Sequence, residues 1–169
     1  MNAVLDAWNK ADETAALDAM IACCGAKRWA LAMVALRPIA GVAELSEAAD
    51  TIWATMKEPD WMEAFACHPR IGERKAAHSV AKSAAWSKQE QTSAASASED
   101  VLAEIAERNA RYEELFGFTY IVCATGKSAE EMLAILKRRL ASTREAEMLE
   151  AAEQQRQITQ IRLGKWLVE

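Results

Sequence analysis

Hydrophobic residues recur every three or four positions along most of this chain, which is the spacing of the buried face of an α-helix. Runs that alternate between hydrophobic and polar residues, as in a half-buried strand, are nearly absent. Only "FTYIVCA", residues 118–124, has the composition of a short extended segment. Predicted helices cover approximately residues 4–24, 27–36, 44–56, 60–67, 98–116, 128–140 and 143–163. The pattern therefore predicts an all-α protein, a single compact domain over residues 1–169 with about seven to nine helices.

Capping residues set the expected ends of several helices. The predicted caps are Asp60, Ser87, Ser98 or Ser96, and Ser128 at N-termini, and Gly25 and Gly117 at C-termini. Glu90 and Glu131 each follow one of these serines by three residues, which is the spacing of a capping box. The polar segment 79–98 is predicted to be a mobile connection and then a short helix that carries Ser87, Glu90 and Gln91. Its closure over a pocket as a lid is a further hypothesis.

Composition and charge limit the class of protein. Hydrophobic residues make up 51% and charged residues 27% of the chain, and no window approaches the roughly 18 apolar residues that span a membrane. The formal charge of −5 and the lack of a basic stripe argue against nucleic acid as a partner. The densest basic segment, "LKRRLASTR" at residues 136–144, is predicted to be a solvated helix face. A small molecule or another protein is left as the partner.

Neither end of the sequence carries a recognisable targeting signal. The N-terminal segment is amphipathic and contains acidic residues early, unlike a secretory signal, and "GKWLVE" at the other end is no peroxisomal tripeptide. The cysteines Cys23, Cys24, Cys67 and Cys123 match no disulfide framework or zinc spacing. Reduced thiols and a cytoplasmic location are therefore expected.

The two histidines are the first candidates for chemistry. His68 stands between Cys67 and Pro69, and because proline disfavours helical backbone in the preceding residue, His68 is expected at a helix end. Imidazole titrates near neutrality, so His68 is a candidate acid or base, although a lone histidine more often donates to a backbone carbonyl. His78 is predicted to be a surface residue. The two histidines have no metal-site spacing, with each other or with Glu73, and no metal is predicted.

Three other features leave alternatives open. Cys67 beside a histidine suggests a nucleophile, but catalytic pairs usually come from distant segments, so a small buried hydrophobe is the simpler interpretation. "ATGKS", residues 124–128, lacks the first glycine of a phosphate-binding loop, although the following helix N-terminus offers free N–H groups to an anion or carbonyl. Arg162, flanked by Ile161 and Leu163, is either a surface arginine beside an apolar stripe or a binding residue.

Several sequence blocks occur together in a characteristic order. They are "WALAMVALRP", "AFACHPRIGE", "WSKQEQ", "RYEELFGFTYIVCATGKSAEEMLAILKRRL" and "EAAEQQRQITQIRL". In this combination the chain resembles the family of OHCU decarboxylases, which act on 2-oxo-4-hydroxy-4-carboxy-5-ureidoimidazoline in urate breakdown. The resemblance covers almost the whole chain. It implies an all-α, cofactor-free and usually homodimeric enzyme that forms (S)-allantoin and CO₂ from a small anionic substrate.

The resemblance also implies roles for individual residues. His68 corresponds to the family's catalytic histidine, and Glu90 is the second residue expected to take part in catalysis. The residues expected to contact the substrate are Pro69, Ser87, Gln91, Tyr120, Ile121, Val122, Cys123, Ala124 and Arg162. The five residues Tyr120 to Ala124, called the strip below, are expected to act through their backbone.

The chain departs from the family's usual pattern at three positions. Thr125 replaces an arginine that many relatives have, Ile39 a common phenylalanine and Ser142 a common asparagine. None of these positions belongs to the block that contains His68 or to the block that contains Glu90. The departures therefore put in question the outline of the pocket and not the activity.

Overall fold

Nine α-helices account for the regular structure of the described residues. A computed structural model of the chain describes residues 2–72, 81–92 and 96–169. The helices are α1 (Ala3–Lys10), α2 (Glu13–Cys23), α3 (Lys27–Ala35), α4 (Val42–Trp53), α5 (Glu58–Ala66), α6 (Ala81–Glu90), α7 (Glu99–Phe116), α8 (Ala129–Arg139) and α9 (Arg144–Trp166). The described residues contain no strand, so the predicted all-α class with seven to nine helices is confirmed. Among them, no helix combines the length and the apolar character needed to cross a bilayer.

The chain divides into two units by its internal contacts. Unit 1 comprises residues 1–64 and 156–169, and unit 2 comprises residues 65–155. Both boundaries fall within helices, near the end of α5 and in the middle of α9. The organisation of residues 1–169 as one domain stays a prediction.

In unit 1, the first predicted helix is in fact two helices. The chain leaves helical geometry at Ala11, and the side chain of Asp12 caps α2 by accepting a hydrogen bond from the N–H of Ala15 at 2.9 Å. The prediction of one helix over residues 4–24 is therefore wrong, because a capping aspartate began a new helix. Gly25 follows the last turn, but its backbone is not left-handed as the predicted cap required.

Tryptophans organise the core of unit 1. Trp29 is fully buried, and its indole N–H donates to the carbonyl of Ala49 at 3.1 Å, which joins α3 to α4. Trp8 donates to the carbonyl of Ala16 at 3.0 Å, and its ring meets the edge of Trp166 with 6.0 Å between centroids. The rings of Trp8 and Trp29 each bury a large apolar surface while their single donor is satisfied.

Helix α5 begins earlier than its capping pattern predicted. It starts at Glu58, so Pro59 lies in the first turn, where a missing N–H costs nothing. Asp60 is inside the helix, and its carboxylate accepts a hydrogen bond from the N–H of Lys57 at 3.0 Å. The prediction that Asp60 is the N-cap is therefore wrong by three residues.

In unit 2, most predicted caps are confirmed, but the one at Ser87 is not. Ser98 caps α7, Gly117 ends it in a left-handed conformation (φ 81°), and Ser128 forms the predicted capping box at α8. Helix α6 instead begins at Ala81, so Ser87 is a buried residue inside it. The alanines of this segment favour helix and extend it towards the N-terminus. Residues 79–80 and 93–95 of the predicted lid lie outside the described residues.

An aromatic cluster forms the core of unit 2. Tyr112 contacts the rings of Phe116, Phe118 and Tyr120, with centroids 4.6 to 5.6 Å apart. Phe118 also packs on Phe65, the first residue of the unit, at 5.4 Å. These contacts anchor both the segment before His68 and the segment that leads into the strip.

Candidate active site

His68 lies just beyond the end of α5, as the proline pattern predicted. Its N–H donates to the carbonyl of Phe65 at 3.1 Å, which closes the last turn. Pro69 is buried and His68 is half-buried. Cys67 is also half-buried rather than the fully buried residue expected from the sequence. The imidazole thus leaves the helix at its end, from a backbone fixed on both sides.

The imidazole of His68 is held by a glutamine side chain. The Nε2 atom of His68 lies 2.6 Å from the Oε1 atom of Gln155, whose side chain is fully buried. An amide oxygen only accepts hydrogen bonds, so Nε2 donates, and it can do so whether the ring is neutral or protonated. Gln155 therefore fixes the ring orientation without requiring one charge state. Sequence reasoning gave Gln155 no role.

The strip, Tyr120 to Ala124, has no regular secondary structure and is buried at all five residues. Side chains from three places hold its backbone. Gln154 accepts a hydrogen bond from the N–H of Cys123 at 2.8 Å, and Lys127 donates to the Cys123 carbonyl at 2.7 Å. Arg139 donates to the Ile121 carbonyl. A backbone segment that the sequence identified only as extended is thus fixed by specific polar contacts.

Four N–H groups of the strip remain unused in the described part of the chain. The N–H groups of Tyr120, Ile121, Val122 and Ala124 make no hydrogen bond there, although all four residues are buried. More than about 90% of buried backbone N–H groups in proteins have a partner. Unused donors in a buried segment are a feature of a site that receives a ligand with acceptor oxygens.

Adjacent glutamines bring His68 and the strip to the same point of α9. Gln154 holds Cys123 of the strip, and Gln155, the next residue, holds His68. The two segments are more than fifty residues apart in the sequence, so this contact pattern is the main geometric evidence for a shared site. The motif "EAAEQQRQ" contains both glutamines. Their position beside the buried residues of the helix was the sequence signal that could have identified them as site residues.

The residues near the end of α6 that are predicted to bind substrate are linked to the His68 segment through Gln91. The Oε1 atom of Gln91 accepts a hydrogen bond from the N–H of Gly72 at 2.9 Å, which ties the end of α6 to the segment after His68. Glu90, the last residue of α6, is half-buried, and Ser87 is buried one turn earlier. Gln91 is therefore brought to the His68 segment, and Ser87 and Glu90 lie in the last turn of the same helix. Glu73 and His78 lie outside these residues.

Arg162 is buried, with 2% of its surface exposed. It belongs to the part of α9 in unit 1, whereas the other predicted site residues belong to unit 2. The interpretation of Arg162 as a surface arginine is therefore wrong. Burial of a charge is costly unless it is paired, which is consistent with a functional or structural role for this guanidinium.

A buried ion pair was missed by the sequence analysis. Arg139 and Glu147 are 1% and 2% exposed, and Nε of the arginine lies 2.7 Å from Oε2 of the glutamate. The prediction that residues 136–144 form a solvated face is thus wrong at Arg139. It follows Met132 by seven residues and Leu136 by three, so its position on the apolar face was the available signal. Burial raises the pKa of the neighbouring Tyr112 and Tyr120 hydroxyls above their usual value, so both remain neutral donors.

Unit 2 also contains a cavity of about 570 Å³ beside the segment after His68. Arg70, Ile71 and Gly72 form one wall, and α7 forms the other. None of the predicted site residues lines it. Arg70 makes a bidentate ion pair with Glu113, both distances being 2.7 Å, and this contact holds the pKa of Glu113 below its usual value. Among the described residues, no group of three or more His, Cys, Asp or Glu side chains is placed to hold a metal ion.

Comparison with known proteins identifies the family. The model of the OHCU decarboxylase family matches residues 9–164. The chain belongs to this family. The family predicted from the motifs is thereby confirmed.

Two relatives show how far the similarity extends. A crystal structure of OHCU decarboxylase in the presence of (S)-allantoin is 33% identical, has a TM-score of 0.78 and covers 90% of this chain and 99% of its own. The uric acid degradation bifunctional protein TTL of Arabidopsis thaliana is 35% identical over 144 residues, which are 85% of this chain and 44% of that protein. The chain thus spans less than half the length of this curated relative.

A third comparison concerns the fold alone. A crystal structure of (S)-allantoin synthase matches with a TM-score of 0.69 at 18% identity, over 96% of this chain and 53% of that one. This chain therefore shares its fold with that structure at low sequence identity.

Proposed function

We propose that this chain decarboxylates OHCU to (S)-allantoin and CO₂ in urate breakdown, with no cofactor. The family match and the similar OHCU decarboxylase structure, determined in the presence of (S)-allantoin, support this reaction. The observation that carries the proposal in the structure is the adjacent pair Gln154 and Gln155, which joins a held imidazole to a buried strip with unused N–H groups. These are the parts needed to bind a small polar ring and to exchange a proton with it.

The chemistry requires little beyond charge stabilisation and one proton. The bond between the ring carbon and its carboxylate breaks, and CO₂ leaves. The electron pair of that bond forms a C=C bond to the neighbouring ring carbon, and the electrons of its C=N bond pass to the nitrogen, which takes up a proton. The hydroxyl on the first carbon then loses its proton and becomes a carbonyl, while a proton is delivered to one face of the neighbouring carbon, which bears the ureido group. This last step sets the S configuration. Preorganised donors around the ring stabilise the developing negative charge, which is usually a large contribution to catalysis.

In this mechanism His68 is the acid/base, and Gln155 is its positioning residue. An effective proton donor must be within hydrogen-bond reach of the reacting atom, so its orientation matters as much as its acidity. Gln155 holds Nε2 of His68, and buried Pro69 fixes the backbone from which the ring projects. Glu90 is the second candidate for the final proton and would otherwise bind the substrate hydroxyl or a polarised N–H group.

The remaining predicted residues bind the substrate in this proposal. The N–H groups of the strip donate to the ring, and Ser87 and Gln91 contact the ureido and ring carbonyls. Because the Oε1 atom of Gln91 is occupied by Gly72, its NH₂ group is the part that faces a substrate acceptor. Arg162 is proposed to bind a carboxylate or carbonyl oxygen, for which a guanidinium is well suited.

The organisation of the protein is proposed on the same family basis. We propose a single OHCU decarboxylase domain over residues 1–169 that acts as a homodimer in the cytoplasm and binds neither membrane nor nucleic acid. Gel filtration with light scattering measures the oligomeric state. A monomer at micromolar concentration would contradict the dimer without affecting the proposed activity.

Chiral detection of the product tests the reaction. Urate is oxidised and hydrolysed in situ to fresh OHCU, and the circular dichroism of allantoin is followed with and without the protein. The proposal predicts a rapid rise of the (S)-allantoin signal that scales with protein concentration. A helical binding module without catalysis is the rival, and an allantoin signal that is unchanged by the protein would favour it.

A further inference from the structure

We propose that Arg139 and Glu147 form a buried positioning pair, which fixes the strip for substrate binding through the carbonyl of Ile121. The proposal rests on the function proposed above. It assigns a task in the reaction to two residues that lie outside the predicted substrate-contacting set.

The contacts of Arg139 all lead to the strip or to its support. The guanidinium donates to the Ile121 carbonyl through Nη1 and pairs with Glu147 through Nε at 2.7 Å. It also lies over the rings of Tyr112 and Tyr120, 5.7 and 5.0 Å from their centroids. Tyr112 in turn donates to Oε2 of Glu147 at 2.6 Å. The guanidinium is therefore fixed in position and in plane.

Stability alone is a weak explanation for this pair. Replacing a buried ion pair by apolar residues of similar size is often neutral or stabilising, because desolvation of the charges offsets their attraction. What apolar residues cannot supply is a rigid donor aimed at a backbone carbonyl. Arginine supplies it with its planar fork, and a carboxylate on the opposite side holds that fork still.

The position of Ile121 explains why such a hold matters. Arg139 fixes the carbonyl of Ile121, and Gln154 and Lys127 fix Cys123, so Val122 between them is held from both sides. Within the strip, the N–H groups of Tyr120, Ile121, Val122 and Ala124 make no hydrogen bond in the described part of the chain. Fixing the carbonyl of a peptide fixes the N–H of the same peptide plane. The Arg139 contact thus sets the direction of the Val122 donor.

The neighbouring ion pair on the same helices provides a matched control. Arg138 and Glu150 lie 3.9 Å apart, and their side chains are 66% and 37% exposed. This pair also joins α8 to α9 but makes no hydrogen bond to the strip among the described residues. Its removal changes the same charges without changing the hold on Ile121.

The test compares the variant R139M/E147L/Y112F with the control R138M/E150L. Tyr112→Phe is included so that no phenol hydroxyl is left without Glu147. The proposal predicts that KM for OHCU and the dissociation constant for (S)-allantoin both rise about tenfold in the first variant, because donor directions are lost while His68 remains. We expect kcat to change less than about threefold, and both constants to be unchanged in the control.

Whether KM or the apparent kcat changes separates a positioning role from partial unfolding. Partial unfolding lowers the apparent kcat in proportion to the lost enzyme and leaves KM as it was. If KM and the allantoin dissociation constant stay at the wild-type values in a folded variant, the inference is wrong. If the triple variant does not fold, Arg139→Lys decides, since lysine keeps the charge without the fork. We expect its KM to rise about threefold, and an unchanged KM would overturn the inference.

Wild-type protein separates this inference from the proposed function. If the wild type neither forms nor binds (S)-allantoin, the proposed function is wrong and the inference falls with it. If the wild type is active and the Arg139 variants match it in KM, only the inference is overturned.

Discussion

The segment around His68 and the strip Tyr120 to Ala124 contribute to the candidate site in different ways. His68 offers a half-buried side chain whose chemistry is evident from its residue type. The strip offers backbone N–H groups, and the side chains of its five residues are buried. The first is held by Gln155 and the second by Gln154, Lys127 and Arg139.

This difference separates the expected effects of mutations. Changes near His68 should act on the proton transfer and therefore on kcat. Changes that loosen the strip should act on substrate binding and therefore on KM. The adjacent glutamines of α9 suit this comparison, because they have the same side chain, and Gln155 contacts His68 whereas Gln154 contacts Cys123 of the strip.

Among the substitutions at Glu90, Gln155, Gln154 and Arg70, replacing Glu90 by glutamine is expected to have the largest effect. The change removes the carboxylate but keeps the size and the hydrogen-bonding capacity of the side chain. We expect kcat to fall about 10²-fold or more, which is the range for loss of a general acid or base. Initial rates of (S)-allantoin formation measure it. An unchanged rate would reduce Glu90 to the last residue of α6 and leave His68 as the single acid/base.

Gln155→Met removes the partner of the His68 imidazole and is expected to lower kcat about tenfold. The ring remains but is no longer held at one orientation, so productive geometry is less populated. KM should change less than kcat. Steady-state kinetics with a thermal-unfolding control distinguishes this from damage to the fold. A rise in KM without a fall in kcat would contradict the assignment of Gln155 to the His68 side of the site.

Gln154→Met should show the opposite pattern with a smaller amplitude. It leaves the N–H of Cys123 without its partner and loosens one end of the strip. Because Arg139 still holds Ile121, we expect KM to rise about threefold while kcat is nearly unchanged. The same assay applies. If Gln154→Met and Gln155→Met gave the same change in the same constant, the distinction between the two segments would be wrong.

Arg70→Met is expected to have the smallest effect, and on stability rather than on chemistry. The pKa of Glu113 is lowered chiefly by its hydrogen bond with Arg70, so this contact stabilises the folded state above the unfolded pKa of about 4.3. Since Arg70 is exposed, we expect a loss of less than about 1 kcal/mol at pH 7.

The loss at Arg70 should disappear as the pH falls through the lowered pKa of Glu113, because the carboxylate is then protonated in both proteins. Urea unfolding of wild type and variant at pH 7 and about pH 3 measures this difference. A difference in stability that persists at the lower pH would mean that Arg70 stabilises the protein by packing and not through Glu113.

The comparison also shows how much of the molecule the sequence predicts. The all-α class followed from periodicity, and the caps at Ser98, Gly117 and Ser128 followed from local chemistry. The break at Asp12 was missed because a capping aspartate and a helical surface aspartate look alike until the backbone around them is known. Ser87 failed as a cap because helix-forming alanines extended α6 past it.

The candidate site was predictable where side chains carry the chemistry. His68 follows from its rarity, from Pro69 and from the resemblance to OHCU decarboxylases. Arg139 and Gln155 were not predicted, because arginine and glutamine on a helix are usually solvated, and only tertiary contacts show that these two are buried. A strip that acts through its backbone leaves almost no chemical signature in the sequence beyond its family motif.

His68→Asn tests the central claim most directly. Asparagine keeps a donor and an acceptor near Gln155 but cannot exchange a proton near neutrality. In the circular-dichroism assay with fresh OHCU, we expect the rate of (S)-allantoin formation per folded protein to fall at least about 10²-fold, to the level of the reaction without protein. Thermal unfolding should remain like that of the wild type. A folded His68→Asn variant that forms (S)-allantoin at the wild-type rate would contradict the account.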